Sequence, residues 1–226
     1  MHIFGYPKNE KRTEQERLLT AVADAIHAPK KSPPPTSHTI DAEPTFDLPA
    51  EVKHFEFPVY EEVSITDIYY STGYSYLEAV LKVLKTEAPL SEEWLLKRSV
   101  EIFDREKVTS VVIAEYREAM TGHQRQGIAI RDGFLYLQGQ TNYQLRVPAP
   151  NRPPREIRYI ALEELAAGMY EIIRQNISLD KTSLFHLLAG KLGFTRAGNA
   201  IQERLERALS QLRSVVDISG DTVSLK

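Results

Sequence analysis

The stretch Leu192-Gly193-Phe194-Thr195-Arg196-Ala197-Gly198-Asn199-Ala200-Ile201 constrains the fold more than any other, because it sets a helix stop and a helix start only a few residues apart. Asp180 is a helix N-cap, the helix it opens runs to Leu192, and Gly193 suits the left-handed residue that follows a helix end. After Gly198, Ile201, Leu205, Ala208 and Leu212 recur at helical spacing, so a second amphipathic helix follows a short turn. Next come two β-prone runs, Val215-Val216-Asp217-Ile218 and Thr222-Val223-Ser224-Leu225, separated by Ser219-Gly220-Asp221, which is hairpin chemistry. Helix, turn, helix and hairpin in this order read as a winged helix.

The preceding part of the chain repeats the layout. A helix is expected from Tyr76 to Lys85, and a second after the N-cap Ser91, with Glu92 and Glu93 where the helix dipole favours acid. Trp94, Leu95, Val100 and Phe103 supply its buried side, Ser110 caps a third helix through Met120, and Asp132-Gly133 joins Gly127–Arg131 to Phe134–Leu137 as a hairpin. The fold class is therefore mainly α with short β-hairpins (α+β), arranged as two tandem winged-helix domains over 60–140 and 162–226, the latter opening on a helix over Leu162–Gln175. Residues 1–28 carry one helix with an apolar stripe of Leu18, Leu19, Val22, Ala25 and Ile26. Residues 29–59 form a linker whose Pro29-Lys30-Lys31-Ser32-Pro33-Pro34-Pro35 run extends as polyproline II. Residues 141–161 form a second linker, with four prolines between Val147 and Pro154 making a stiff, exposed spacer.

Composition removes several function classes. The chain has no cysteine, which excludes disulfide frameworks, thiol catalysis and thiolate zinc sites. No apolar run reaches the roughly 18 residues of a membrane span and no signal-peptide core opens the chain, so a cytoplasmic location without membrane contact is expected. A net charge of -3 argues against a nonspecific coat for nucleic acid. The charge is uneven, however: residues 60–119 hold 12 acidic against 7 basic side chains (-5) and residues 120–226 hold 10 against 14 (+4), so phosphate contacts belong to the C-terminal half.

No motif in the chain carries catalysis. Gly190-Lys191 lies inside a predicted helix without the upstream glycine of a phosphate-binding loop, with Phe185 in its place. The six histidines (2, 27, 38, 54, 123 and 186) never pair at i, i+3 or i, i+4, so no metal set is indicated. The carboxylate pairs Glu61-Glu62, Glu92-Glu93 and Glu163-Glu164 point in diverging directions on a helix, and the two at helix starts complement the dipole instead. The tyrosines 69, 70, 74 and 76 read as core residues entering a domain rather than a base-stacking platform. The expectation is a non-enzymatic chain with no cofactor.

The candidate recognition helix of the second unit turns Glu203, Glu206, Arg207 and Ser210 outward, with Arg196 in the preceding turn. Arg196 and Arg207, with Asn199, Gln202 and the wing residue Lys226, are candidate DNA contacts, since arginine suits phosphate or guanine and asparagine suits adenine. Asn199 and Gln202 also fit a capping box. In the first unit Val111, Glu115 and Glu118 face outward, a surface suited to a protein partner, and only Arg125 of the His123-Gln124-Arg125-Gln126 loop and Arg131 of its wing remain for DNA.

Ile157-Arg158-Tyr159-Ile160-Ala161-Leu162-Glu163-Glu164-Leu165, together with Leu192 to Ile201, resembles a conserved C-terminal domain of large bacterial superfamily I helicase-like proteins, many of which carry a Vsr-type endonuclease domain just upstream. The resemblance spans roughly 76–220; Ala161, where a capping Ser or Pro is expected, departs from it. Ile3-Phe4 and Glu16-Arg17-Leu18-Leu19-Thr20-Ala21-Val22 are similar to the last strand and closing helix of that nuclease domain, with Gly5-Tyr6-Pro7-Lys8 where a Trp-rich motif is expected, which would make the chain the C-terminal piece of a helicase–nuclease. The resemblance implies an accessory module that binds duplex or forked DNA beside helicase and nuclease domains, in defence against foreign DNA. A docking and assembly module using its winged helices on other proteins is the alternative, and a homo-oligomer is compatible with either.

Overall fold

A computed structural model describes residues 56–64, 76–103 and 105–226. The expected helix over 11–28, the polyproline run, tyrosines 69, 70 and 74 and the echo of a nuclease end lie outside the described residues. Among the described residues the protein is mixed α+β, with six α-helices and two small three-stranded antiparallel sheets. No helix among them is long and apolar enough to cross a membrane.

The first half runs α1 (Tyr76–Glu87), β1 (Leu90–Ser91), α2 (Glu92–Ile102), α3 (Ser110–Ala119), β2 (Ile128–Arg131) and β3 (Phe134–Leu137). The second runs α4 (Leu162–Asn176), β4 (Ser178–Asp180), α5 (Lys181–Lys191), α6 (Asn199–Gln211), β5 (Val216–Ser219) and β6 (Thr222–Leu225). The sheets are ordered β1-β3-β2 and β4-β6-β5. The hairpins stand where sequence placed them, but β1 and β4 were not foreseen: two or three residues show no periodicity, and these strands exist because β3 and β6 offer a second edge to pair.

Local chemistry accounts for the element ends. Asp132 (φ 47°) and Gly133 (φ 75°) both take positive φ, as a two-residue type I′ hairpin turn requires. Ser91 and Asp180 cap α2 and α5 by accepting hydrogen bonds from the amides of Trp94 and Ser183. The α3 cap is Thr109, one residue before the expected Ser110. At the end of α5, the Gly193 amide reaches the Gly190 carbonyl and the Phe194 amide reaches that of Ala189, the double closure that a left-handed Gly193 (φ 83°) permits.

Each half closes by the same lock. The turn carbonyl of its hairpin accepts the first amide of the helix that follows its first strand: Glu92 N–H to Gly133 O at 2.9 Å, and Lys181 N–H to Asp221 O at 2.7 Å. Otherwise orphaned helix amides are thereby satisfied and each hairpin is fixed against its helices.

Two apolar cores result. Val80, Val83, Leu84, Leu95, Leu96, Tyr116 and Leu135 belong to the first; Leu165, Met169, Ile173, Leu188, Leu205 and Leu212 to the second. Each fully buried aliphatic side chain is worth roughly 1.5–3 kcal/mol. A third cluster, Phe134, Tyr136, Tyr143 and Ala161, combines β3, the connector and the residue before α4, so the halves share apolar surface.

The connector over 141–161 corrects the reading of a stiff, exposed spacer. Residues 150–154 are exposed, but Tyr143, Leu145, Tyr159 and Ile160 are buried, and Leu145 and Ile160 belong to the second core. The end of the first linker is packed as well: Phe57 sits against the second core, and Val59 makes a parallel bridge with Val147, with Tyr60 N–H donating to Val147 O at 2.7 Å.

Leu145 reaches its place because Gly168 on α4 has no side chain. A Cβ there would stand 2.7 Å from Leu145 Cδ2, 2.9 Å from its Cβ and 2.9 Å from Leu188 Cδ1. Gly168→Ala is therefore expected to lower stability by about 1–2 kcal/mol in urea denaturation, overpacking of about 1–3 kcal/mol outweighing the roughly 1 kcal/mol of helix propensity gained. An alanine variant as stable as the parent would show that the connector does not seat on α4 this closely.

Candidate nucleic-acid interface and the junction behind it

On α6 Leu205, Ala208 and Leu209 are buried, as is its C-cap Leu212, and Ile201 is packed beside them, so the apolar side is the one its spacing indicates. Asn199, Gln202, Glu203, Glu206, Arg207 and Ser210 are exposed, as is Arg196 in the turn before the helix. Arg196 and Arg207 make no ion pair among the described residues. Glu206 does, with Lys181 Nζ at 2.9 Å, so one of the two acidic side chains on this face is partnered by a cation from α5.

The capping reading of Asn199 is corrected. Gly198 is the N-cap, its carbonyl accepting from the Ile201 and Gln202 amides, and no side chain caps the helix. Asn199 is the first helical residue, too late to cap, and with Gln202 it leaves its amide on the exposed face. Lys226 is exposed but its Nζ donates to Arg213 O at 2.6 Å, tying the end of the chain to the end of α6.

In the first half Arg125 is exposed in a single 3-10 turn, His123–Gln126. Arg131 is not the free wing residue that sequence proposed. Its guanidinium donates to Tyr143 Oη at 3.2 Å, lies 4.2 Å over the Tyr136 ring and pairs with Glu163 at 3.8 Å. Burial opposes its charge, and the contacts with Tyr143, Tyr136 and Glu163 outweigh that and raise its pKa. Of the candidate protein face, Val111 is 54% exposed and Glu118 is exposed, whereas Glu115 holds Arg105 through both carboxylate oxygens at 2.8 and 3.0 Å. The face is narrower and less acidic than its sequence suggests.

Sequence reasoning missed a charged junction behind these faces. Glu164, in the first turn of α4, is fully buried and holds two arginines of the connector. Arg146 donates to it at 2.9 and 3.2 Å, and Arg155 donates to both of its oxygens. Arg146 also donates to the carbonyls of Glu87 (2.8 Å) and Pro89 (3.1 Å), at the end of α1 and just beyond it. Glu87, itself buried, accepts from Tyr60 Oη at 2.5 Å and pairs with Arg98 of α2, while Arg155 lies 4.0 Å over the Tyr60 ring. The network joins the segment at 60, α1, α2, the connector and α4.

Two further contacts close the junction. Arg204, on the flank of α6, donates to Ile160 O at 3.1 and 2.6 Å and lies 5.4 Å over the Phe134 ring. Tyr159 receives Lys97 Nζ at 2.5 Å, donates to Glu93 at 3.0 Å and packs on Trp94. The Ile157–Leu165 run is thus the seam between the halves. Burial, with the carboxylates of Glu87, Glu163 and Glu93 beside them, raises the pKa of Tyr60, Tyr136 and Tyr159, so these hydroxyls stay protonated donors.

Among the described residues no group of three or more His, Asp or Glu side chains could hold a metal ion. No protein-family model, no curated protein and no solved structure matches the chain.

Burial alone would raise the pKa of Glu164, but the charges of Arg155 and Arg146 and their hydrogen bonds prevail and hold it below the ordinary carboxylate value of 4.5. A depressed folded-state pKa means stability that is present above the unfolded value and lost as pH falls through the folded one. Glu164→Gln, which leaves two buried guanidiniums without their anion, is expected to lower stability by about 3–5 kcal/mol at pH 7. In chemical denaturation across pH 6 to 3, the variant should lose less of its remaining stability below about pH 4.5 than the parent. Parallel pH profiles, or a loss under about 1 kcal/mol as for an exposed pair, would mean that the junction does not depend on this charge.

Proposed function

We propose that the chain is a non-catalytic binding module of two winged helices and that its C-terminal half holds DNA. Support for the winged-helix reading is the element order in each half, helix–strand–helix–helix–hairpin, with the first strand paired to the last. Support for DNA is one observation above the others: Arg196 and Arg207 stand exposed, and without ion pairs among the described residues, in the turn before α6 and on its outer face, with the hydrogen-bonding side chains Asn199 and Gln202 between them. A helix so presented suits a major groove, its arginines meeting phosphate or guanine. Lys181 partners Glu206, which reduces the repulsion that this face would otherwise offer to phosphate. With Arg131 engaged at the junction, Arg125 is what remains of the two DNA contacts that the sequence suggested for the first half.

The first half fits a second role. Val111, 54% exposed on α3, and the exposed Glu118 on the same helix give an apolar and acidic surface, which favours a protein partner for this half. That the partners are helicase and nuclease domains acting on duplex or forked DNA in defence rests on the sequence resemblance alone. Docking of both halves to protein is the competing reading.

Arg196→Glu combined with Arg207→Glu should weaken binding to duplex and forked DNA by on the order of 1 kcal/mol or more per contact and flatten the log–log salt dependence by about one unit each. Glu118→Ala should leave affinity and slope unchanged. Fluorescence anisotropy over a salt series measures both. No binding by the parent chain at low salt, or the same loss from both variants, would transfer the assignment to protein docking.

A further inference from the structure

Asn199, Gln202, Glu203, Glu206, Arg207 and Ser210 fall at i, i+3, i+4, i+7, i+8 and i+11, one continuous stripe of exposed polar side chains along α6. The stripe lies opposite the buried Leu205, Ala208 and Leu209. Glu206 is held by Lys181, and Ser210 Oγ donates to Arg207 O at 2.6 Å. The side chains of Asn199, Gln202, Glu203 and Arg207 make no hydrogen bond or ion pair among the described residues. Three of these four stand at the start of α6, where they offer both donors and acceptors, and Arg207 follows one turn on.

Attraction to phosphate accounts poorly for this surface. Glu203 offsets part of the charge of Arg196 and Arg207, and the hairpin that follows α6 carries the exposed carboxylates of Asp217 and Asp221. Lys226, at the end of that hairpin, is tied to Arg213 O. Nonspecific affinity comes from phosphate contacts, so these groups hold duplex in general only weakly. Base edges suit them better: asparagine and glutamine pair with adenine N6 and N7, and a carboxylate accepts from cytosine N4, a bond that phosphate, lacking a donor, cannot offer. At about 1.5 Å per residue the stripe is roughly 16 Å long, the reach of about four to five stacked base pairs. Reading bases requires a helix fixed in one register, and Arg204 fixes α6 from behind by donating twice to Ile160 O. Resting on the assignment of DNA to this half, we infer that α6 reads base sequence in a duplex over about four to five pairs, Asn199 and Gln202 taking adenine and Glu203 selecting cytosine.

Duplexes randomised over about ten base pairs, carried through rounds of capture by the full-length protein, should yield one enriched motif with adenine and cytosine close together on one strand. Anisotropy at fixed salt should show the enriched duplex bound on the order of 100-fold or more tighter than a scrambled one. Glu203→Ala changes an exposed side chain with no partner to lose. It should weaken binding to the enriched duplex by about tenfold, leave the scrambled duplex bound equally well or better, and release the preference for cytosine at one position. A glutamate that is only solvated would alter none of these. Duplex binding without an enriched motif overturns the inference and leaves DNA as the ligand, whereas no duplex binding at low salt overturns both. An enriched motif that Glu203→Ala prefers over the scrambled duplex as strongly as the parent does also overturns it.

Discussion

The arrangement of this protein depends on a carboxylate buried in the first turn of α4. Glu164 lies inside the protein with no solvent exposure, and ionising it there is tolerable only because Arg146 and Arg155 supply both charge and hydrogen bonds. Since the arginines come from the connector, meeting the needs of one buried anion folds that connector down onto α4. Arg146 then has donors left over, and these reach the end of α1 and the Ala88–Pro89 turn beyond it. Desolvating one group thus draws four segments into a single geometry.

Such networks are weak evidence for net stability, because the cost of removing charges from water offsets much of their attraction. Their effect here is on relative position. Apolar contacts such as Phe134 against Ala161 tolerate sliding, whereas a guanidinium that must satisfy a carboxylate and two carbonyls at once does not. Arg204 acts in the same direction from α6, donating to Ile160 O while its ring contact is with Phe134 of the other half. The outer face of α6, on which the proposed DNA contacts lie, is therefore positioned from behind by contacts with both halves.

The lock between hairpin turn and helix start appears twice, at Gly133 with Glu92 and at Asp221 with Lys181. Its recurrence follows from geometry rather than from shared side chains. A strand that leads directly into a helix leaves that helix's first amide pointing at whatever closes the neighbouring hairpin, so any turn with an available carbonyl serves. Serine caps one helix and aspartate the other, an Asp-Gly turn closes one hairpin and Gly-Asp the other, yet the same bond forms.

Sequence alone determined what short-range chemistry can determine. The cap residues Ser91 and Asp180, the left-handed Gly193, the Asp132-Gly133 turn and the apolar stripe Leu205, Ala208 and Leu212 each act within a few residues, and elements and buried faces could be read from them. The one-residue shift of the α6 cap, from Asn199 to Gly198 with its missing side-chain bond, shows the limit: a backbone carbonyl can close a helix start that carries no polar cap. Strands β1 and β4 were illegible because they are defined by their partners and are too short to show a period. The roles of Glu164, Arg146, Arg155, Arg131 and Arg204 were illegible for a deeper reason. A charge on an amphipathic pattern reads as solvated, and only the tertiary structure decides that a partner 9, 18 or 44 residues away has taken the place of water.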